Sequence, residues 1–305
     1  MDDVMVSQVR RFNRTVTERV GALNDRYLAR RHSLGEARLL WEIGPDGRDV
    51  RALRARLGLD AGHLSRLLRS LEAARLVTVG PKASDRRVRT ARLTAAGRRE
   101  RALLDRRSDE LATSFLAPLG ATQRSRLVAA MADVERLLTA GTVAVTPTDP
   151  ADPQARHCVA AYVAELHRRF DTGFDPARSL PADEKQLRLP YGLLLVASLH
   201  GEPIGCAALK LHADAPAEAK RMWVDESARG LGVGRRLLAE LEAHAAAHGA
   251  RTVRLETNRS LVEATSLYRS AGYTEVAPFN DEPYAHHWFE KSLAQPSGRA
   301  DAGGT

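Results

Sequence analysis

Hydrophobic residues recur at three- and four-residue steps through most of the first 140 residues, and this spacing predicts a mainly helical N-terminal half. Near its middle, two short apolar segments around a polar turn predict a two-stranded hairpin. In chain order we expect helices at 6–31, 33–43, 50–57 and 61–75, strands at 76–79 and 88–94, and helices at 94–115 and 122–138. The third and fourth helices, joined by a tight turn that contains Gly58, form a helix-turn-helix pattern.

The second half alternates strands with helices. A helix at 152–169 precedes two apolar strands, and a third strand leads through a glycine-rich turn into another amphipathic helix. The expected strands are 191–199, 203–211, 218–224, 251–257 and two final strands near 273 and at 284–291, with helices after 234 and at 261–271. We therefore predict a mainly α winged helix-turn-helix domain at 1–140, an α/β domain with a mixed, mostly antiparallel sheet at 141–293, and a disordered tail at 294–305.

The net charges of the two halves differ in sign. Residues 1–140 contain 28 Lys and Arg against 17 Asp and Glu, whereas residues 141–305 contain 18 against 21. The first half is thus +11 and the second −3, which add to the +8 of the whole chain. A positive half beside a nearly neutral one favours a nucleic-acid partner for the N-terminal domain.

The sequence shows no sign of a membrane or an export route. It contains no run of 18 apolar residues, and its first residues lack the apolar core of a signal peptide, so we expect a cytoplasmic protein. The two cysteines, Cys158 and Cys206, lie in unrelated contexts and predict neither a disulfide framework nor a metal site.

A glycine-rich segment stands between the strand that ends near Asp225 and the helix that follows Gly234. Glycines allow successive backbone N–H groups to converge, and a helix start adds unpaired donors, so this segment predicts a diphosphate site. It lacks the Gly-Lys-Ser/Thr of nucleoside-triphosphatase loops and the Gly-x-Gly-x-x-Gly spacing of dinucleotide loops. Its own spacing is Arg-x-x-Gly-x-Gly, from Arg229 to Gly234.

This spacing and the order of the elements around it resemble the GNAT acetyltransferases over roughly residues 142–293. The resemblance implies transfer of an acetyl group from acetyl-CoA to an amine, with Tyr268 as the acid that protonates the departing thiolate. It also implies that backbone N–H groups of the strand before the loop hold the acetyl carbonyl. The residues that it implies for cofactor binding are Met222, Trp223, Val224, Arg229, Gly230, Leu231, Gly232, Val233, Gly234 and Arg235.

Some parts of this expected site stay open. Many family members carry an asparagine seven residues before the tyrosine, where this chain has Leu261, so Asn258 either contacts the cofactor in its place or only caps the helix. Glu256 is the candidate base, acting through water, although a strand residue can also face outward. The expected acceptor wall is Asn280, Tyr284, His286 and His287. In a strand, only one of two adjacent histidines can face that wall.

The helix at 61–75 has a polar face that suits DNA. This face consists of His63, Ser65, Arg66 and Arg69. Arginine on such a helix reads guanine edges and grips phosphates, although a solvated basic face would have the same composition. The hairpin that follows adds a basic tip able to enter a minor groove, formed by Asp85, Arg86 and Arg87.

The helix-turn-helix, the wing tip Asp85-x-Arg87 and the following Leu93-Thr94-x-x-Gly97 together resemble the MarR family over roughly residues 5–140. The resemblance implies that Asp85 orients Arg87 by an ion pair. It also implies binding to double-stranded DNA by a homodimer whose first and last helices form the interface. Two recognition helices one DNA turn apart imply a near-palindromic operator.

We therefore expect a DNA-binding transcriptional regulator fused to an N-acetyltransferase that acts on a small-molecule amine. A second interpretation keeps the DNA-binding half but makes the C-terminal half a sensor that binds acyl-CoA without turnover. A third reduces the N-terminal half to a dimerisation or regulatory module beside the enzyme.

Overall fold

A computed structural model describes residues 2–21, 28, 31–82, 85–180 and 183–293, with the backbone alone at 85 and 86. Its contacts divide the chain into two units, Met1–Met131 and Ala132–Thr305. This division falls inside a helix, before the domain boundary expected at residue 140. The expected tail at 294–305 lies outside the described residues.

The N-terminal unit consists of helices around a small sheet. Its elements are α1 (Asp3–Arg19), α2 (Leu34–Ile43), β1 (Arg48–Asp49), α3 (Val50–Leu57), α4 (Ala61–Ala73), β2 (Val77–Lys82), β3 (Asp85–Leu93), α5 (Ala95–Leu116) and α6 (Ala121–Gly141), of which α6 extends past the division. The expectation that the first helix continues to residue 31 is wrong. The helix ends at Arg19, and the chain turns at Gly21, which has a φ of 65°.

Capping groups fix the starts of the helices in this unit. The Ser33 hydroxyl accepts from the Glu36 N–H at 3.2 Å, and the Glu36 carboxylate accepts from the Ser33 N–H at 2.8 Å, which completes the predicted capping box. Gly58 ends α3 in the left-handed conformation, and Asp60 accepts from the His63 N–H at 2.8 Å to start α4. The turn of the helix-turn-helix is therefore set by one glycine and one cap.

The C-terminal unit contains one large sheet. Its elements are β4 (Ala144–Pro147), α7 (Pro153–Arg169), β5 (Gly192–Leu199), β6 (Glu202–Lys210), β7 (Ala217–Val224), α8 (Val233–Ala247), β8 (Thr252–Thr257), α9 (Val262–Ser270), β9 (Thr274–Val276) and β10 (His287–Ser292). The seven strands lie in the order β4-β5-β6-β7-β8-β10-β9. β7 and β8 run parallel and the other neighbours antiparallel, which confirms the mixed, mostly antiparallel sheet.

Helices cover both faces of this sheet. In β5, Leu193 and Leu195 pack in the core under α8, whereas Leu194 and Val196 pack in the core under α7. Because both faces are buried, the strand is a continuous apolar run without polar alternation. Within the described ranges, no helix combines the length and the apolar character needed to cross a membrane.

Candidate functional site

Strand β7 carries a bulge at the edge of the site. Cys206 pairs with Trp223, and Ala208 pairs with Lys220, so β7 has one more residue than β6 between these pairs. Arg221 in the bulge has a φ of 53°, an uncommon value for a residue other than glycine. The Cys206 thiol donates to the Arg221 carbonyl oxygen at 3.4 Å. The bulge therefore changes the direction of the last residues of the strand.

Strands β7 and β8 separate before the bulge. Their paired residues end at Glu218 and Arg254. Among the described strands, Trp223 and Val224 pair with β6 alone. This gap lies at the end of β7 where the resemblance implies backbone donors for an acetyl carbonyl.

The glycine-rich segment connects β7 to α8 and is open to an anion. Gly230 and Gly232 have φ values of 83° and 75°, and apart from the adjoining backbone no atom of the described residues lies within 4 Å of the position a Cβ would take at either residue. Gly232 starts α8 without a side-chain cap, so the N–H groups of its first turn have no partner within the helix. The space that a side chain would fill and these donors fit the diphosphate of coenzyme A.

Arg229 is held by a carboxylate of α7. Its Nη2 donates to both carboxylate oxygens of Glu165, at 2.6 and 2.7 Å, and its Nε donates to the Val224 carbonyl oxygen at 3.3 Å. Glu165 also accepts from the Trp223 indole N–H at 2.9 Å and from Arg169 at 3.2 Å. Glu165 thus joins the loop arginine to the end of β7, a role that the sequence did not reveal.

Two cavities meet beside Met222. The loop cavity, of about 460 Å³, lies against the glycine-rich segment. The residues expected to bind the cofactor line this cavity, with two exceptions: Leu231, which packs against the core, and Asn258. The inner cavity, of about 310 Å³, lies between α7, α9 and the chain before β10. The residues that line both cavities are Tyr162, Leu166, Met222, Leu261 and Ala264.

Tyr268 lies in the inner cavity, close to this junction. Its side chain is 6% exposed, and its hydroxyl donates to the Sδ of Met222 at 3.7 Å. Burial raises the pKa of Tyr268 above its ordinary value of 10.0, and the negative charge of Glu256 raises it further. The phenol therefore stays protonated at neutral pH, as a proton donor requires.

Glu256 also lines the inner cavity, so its side chain does not face outward. Its carboxylate pairs with the Lys220 ammonium, and the Asn280 side-chain amide lies 3.4 Å from its other oxygen. The Lys220 ammonium is in turn 3.5 Å from Glu218. The candidate base is thus part of a charged cluster on β7 and β8.

The remaining expected site residues divide into two groups. Tyr284 and Asn258 line the inner cavity, and the Asn258 amide donates to the Tyr284 carbonyl oxygen at 2.7 Å while its oxygen accepts from the Ser260 N–H at 2.9 Å. Asn280, His286 and His287 line neither cavity. The Nδ1 atom of His287 instead lies 2.6 Å from the Oε1 atom of Glu275.

The N-terminal unit presents the expected polar face of α4. Leu64, Leu68 and Leu71 are buried on one side of this helix. The exposed residues on its other side include His63, Ser65, Arg66 and Arg69. Strands β2 and β3 pair from Val77↔Leu93 to Lys82↔Asp85 and form the expected hairpin. Arg87 on β3 is exposed, and the side chains of Asp85 and Arg86 lie outside the description.

Together these features define a two-domain class of protein, with a winged helix-turn-helix in one unit and, in the other, a cleft beside a glycine-rich loop. Residues 160–273 match the acetyltransferase (GNAT) family, and residues 33–88 match the MarR family. An IAA acetyltransferase of Azospirillum brasilense is 33% identical over 127 residues, which make up 41% of this chain and 82% of that protein. The chain belongs to the GNAT acetyltransferase family and carries a MarR-family region ahead of its acetyltransferase domain.

As a member of this family the chain is an acyltransferase, and acetyl-CoA is its cosubstrate. A GNAT-family acetyltransferase from Staphylococcus aureus Mu50 is 16% identical, with 50% of this chain and 99% of that one covered and a TM-score of 0.43. The solved structure of a GNAT-family acetyltransferase from Elizabethkingia anophelis with acetyl-CoA bound is 18% identical to this chain. The match covers 50% of this chain and 99% of that one, with a TM-score of 0.36.

Proposed function

We propose that the C-terminal unit acetylates the amine of a small molecule, and that the N-terminal unit binds a near-palindromic operator as a homodimer. The chain would then be a DNA-binding transcriptional regulator with an enzyme attached. One observation carries the enzymatic part. The cavity at the glycine-rich segment and the cavity that holds Tyr268 and Glu256 share Met222 in their linings.

The residues of the loop cavity would hold acetyl-CoA, which supplies an acetyl group activated as a thioester. Backbone N–H groups at the start of α8 and the open space at Gly230 and Gly232 suit the diphosphate. Arg235 lines the same cavity and donates to the Ser270 hydroxyl at 2.8 Å, and Arg229 is oriented by Glu165. Two guanidinium groups therefore add positive charge beside the backbone donors.

Two side chains of the inner cavity divide the proton transfers. Glu256 accepts the proton of the acceptor amine, directly or through a water molecule. Tyr268 keeps its hydroxyl proton at neutral pH and, next to Met222, donates it to the thiolate that departs when the amine attacks the thioester. Backbone N–H groups at the end of β7, where β8 has separated, are the donors for the carbonyl oxygen.

Thiol release by the full chain tests the enzymatic proposal. With a panel of polyamines, amino acids, aminoglycosides, arylalkylamines and a lysine peptide, we expect turnover with one class of amine. Tyr268→Phe should lower kcat about 100-fold, because it removes the proton donor, and leave the KM for acetyl-CoA within about threefold. Tyr191→Phe, at a tyrosine that is 65% exposed, is the matched control. Acetyl-CoA binding without turnover across the panel would contradict the proposal and favour a sensor.

The exposed face of α4 supports operator binding. Arg66 and Arg69 stand on the side opposite the buried leucines, in the half of the chain with a charge of +11. We expect Arg66→Ala to weaken binding to operator DNA, measured by fluorescence anisotropy, and to reduce the slope of log K against log salt by about 1. Arg126→Ala, at an exposed arginine of α6, is the control. Equal effects of both variants would contradict a recognition role for α4.

Apolar side chains on α1 and α6 support the homodimer. Six residues of α1 are exposed by 39 to 71%: Val4, Met5, Val6, Val9, Phe12 and Val16. Val128 and Met131 on α6 are exposed by 52 and 50%. Helix faces of this kind are stable in water when a second copy covers them. Phe12→Asp should convert a dimer into a monomer in light scattering, and a wild-type monomer would contradict this part of the proposal.

A further inference from the structure

One wall of the inner cavity is aromatic. Phe170 at the end of α7, Phe174 in the following loop and Tyr284 before β10 have ring centroids 4.9 to 5.8 Å apart, and Phe170 meets Phe174 edge to face. Another ring can join such a cluster by the same offset or edge contacts. All three rings line the inner cavity and none lines the loop cavity. The aromatic wall (Phe170, Phe174 and Tyr284) therefore lies on the acceptor side of the junction.

Hydrogen bonds hold this wall in place. The Tyr284 hydroxyl accepts from the Asp175 N–H at 3.0 Å. The Glu282 carboxylate accepts from the Ser179 hydroxyl at 2.9 Å and from the Leu180 N–H at 2.7 Å. These bonds connect the segment after α7 with the segment before β10. Because these hydrogen bonds fix the wall, an acceptor that packs on it loses little affinity to ordering the protein.

The charges of the lining match an acceptor with a single positive charge. Of the described lining residues, Asp183, Glu256 and Glu282 are acidic, and Lys220 and Arg221 are basic, so the formal sum is three negative and two positive charges, or −1. Each of the three carboxylates already accepts a hydrogen bond within the protein. A polyamine or an aminoglycoside would place further ammonium groups beside Lys220 and Arg221, where like charges repel.

We propose that the acceptor is a primary monoamine that carries an aromatic or similarly flat apolar group, an inference that rests on the acetyl transfer proposed above. Its amine lies at the Met222 end of the inner cavity, within reach of Glu256 and Tyr268, and its ring packs on the aromatic wall. A cavity of about 310 Å³ is within the size range of sites for small molecules of this kind. Phe174 is then a specificity-determining residue.

Competing amines test the substrate class in the full chain. We expect kcat/KM, measured by thiol release, to be about tenfold higher for 2-phenylethylamine than for spermidine, an aminoglycoside or a lysine peptide. 2-Cyclohexylethylamine, which has the same bulk without a flat ring, should fall below 2-phenylethylamine. A polycation as the fastest acceptor would overturn the inference and leave the acetyltransferase proposal intact. Acetyl-CoA binding without turnover on any amine would overturn both.

Substitution of the wall tests the role of Phe174. We expect Phe174→Leu to lower the ratio of kcat/KM for 2-phenylethylamine to that for propylamine about fivefold, which is about 1 kcal/mol at 1.4 kcal/mol per tenfold change. Phe174→Tyr, which keeps the ring, should retain most of the ratio. Tyr191→Leu, at a tyrosine that is 65% exposed and lines neither cavity, should retain all of it. The ratio does not depend on how much of a preparation is folded. An unchanged ratio in Phe174→Leu would refute the assignment.

Discussion

Removal of the Glu165 carboxylate should destabilise the C-terminal unit more than any surface charge would. Glu165 is 8% exposed and accepts from three side chains: Arg229, Arg169 and the indole of Trp223. Glu165→Ala would leave all three donors without this acceptor. Glu263→Ala is the matched control, because Glu263 is 68% exposed and also pairs with Arg169, at 2.7 Å.

The size of the effect follows from the exposure of each donor. Trp223 is 7% exposed, so its unpaired indole N–H would cost about 1 to 3 kcal/mol. The Arg229 and Arg169 side chains are 39 and 26% exposed, so water can replace much of the interaction that each loses with Glu165. Each of these two ion pairs therefore contributes at most about 1 kcal/mol to the free energy of unfolding. We therefore expect Glu165→Ala to lower the free energy of unfolding by about 3 kcal/mol, and Glu263→Ala by less than about 1 kcal/mol.

Urea unfolding of the full chain measures this difference. The C-terminal transition is the one that acetyl-CoA moves to higher urea concentration, because a ligand stabilises only the unit that binds it. Tryptophan fluorescence reports on both units, because Trp41 lies in the N-terminal unit and Trp223 and Trp288 lie in the C-terminal unit, so the shift with acetyl-CoA assigns the transition. Equal shifts in Glu165→Ala and Glu263→Ala would refute the reasoning, since the buried carboxylate would then contribute no more than the exposed one.

Two further predictions concern the loop and the charged cluster. Gly232→Ala should weaken acetyl-CoA binding about tenfold in calorimetry, because its methyl group would enter the anion space and its φ of 75° strains alanine. Gly249→Ala, with a similar φ of 85° at the other end of α8, should leave the affinity unchanged, and equal losses would contradict the prediction. Burial alone would raise the pKa of Glu218, but the hydrogen bond from Arg254 and the charge of Lys220 outweigh burial and hold it below its ordinary value of 4.5. Glu218 therefore stabilises the unit above pH 4.5, and this contribution is lost as the pH falls through the lowered pKa. Glu218→Gln should flatten the pH dependence of the free energy of unfolding below pH 4.5, and an unchanged slope would contradict this.

Many helices and strands of both units were accessible from sequence because the relevant signals are local. The run from Leu193 to Ala197 in β5 packs in two cores at once, which requires apolar residues on both faces of the strand. The capping box at Ser33 and Glu36 and the left-handed turn at Gly58 depend on residues close in sequence. The glycine spacing of the loop is local as well. Each of these features was predicted within a few residues of its position.

The interactions that arrange the site were not accessible because they join distant residues. Glu165 stands beside the apolar stripe of α7 and has the pattern of an ordinary polar helix residue, yet its partners Trp223 and Arg229 are 58 and 64 residues away. The bulge at Arg221 depends on pairing with β6, which no pattern within β7 reveals. The sequence offered one signal for the role of Glu165, namely an acidic residue next to the apolar stripe of α7 in a domain that also carries a basic glycine-rich loop.

The same carboxylate explains how two separate demands of acyl transfer are met together. In the proposed mechanism, the strand end at Trp223 places backbone donors for a carbonyl oxygen, and the loop places Arg229 beside a diphosphate. Glu165 contacts both groups from one position on α7, so neither is free to move independently of the other. Donors that are oriented before the reaction need no rearrangement as charge develops in the transition state. Such preorganised donors usually supply the largest part of the rate enhancement. The ion pair with Glu165 also offsets part of the charge of Arg229, so in the proposed site the backbone N–H groups and Arg235 supply more of the attraction for the diphosphate than Arg229 does.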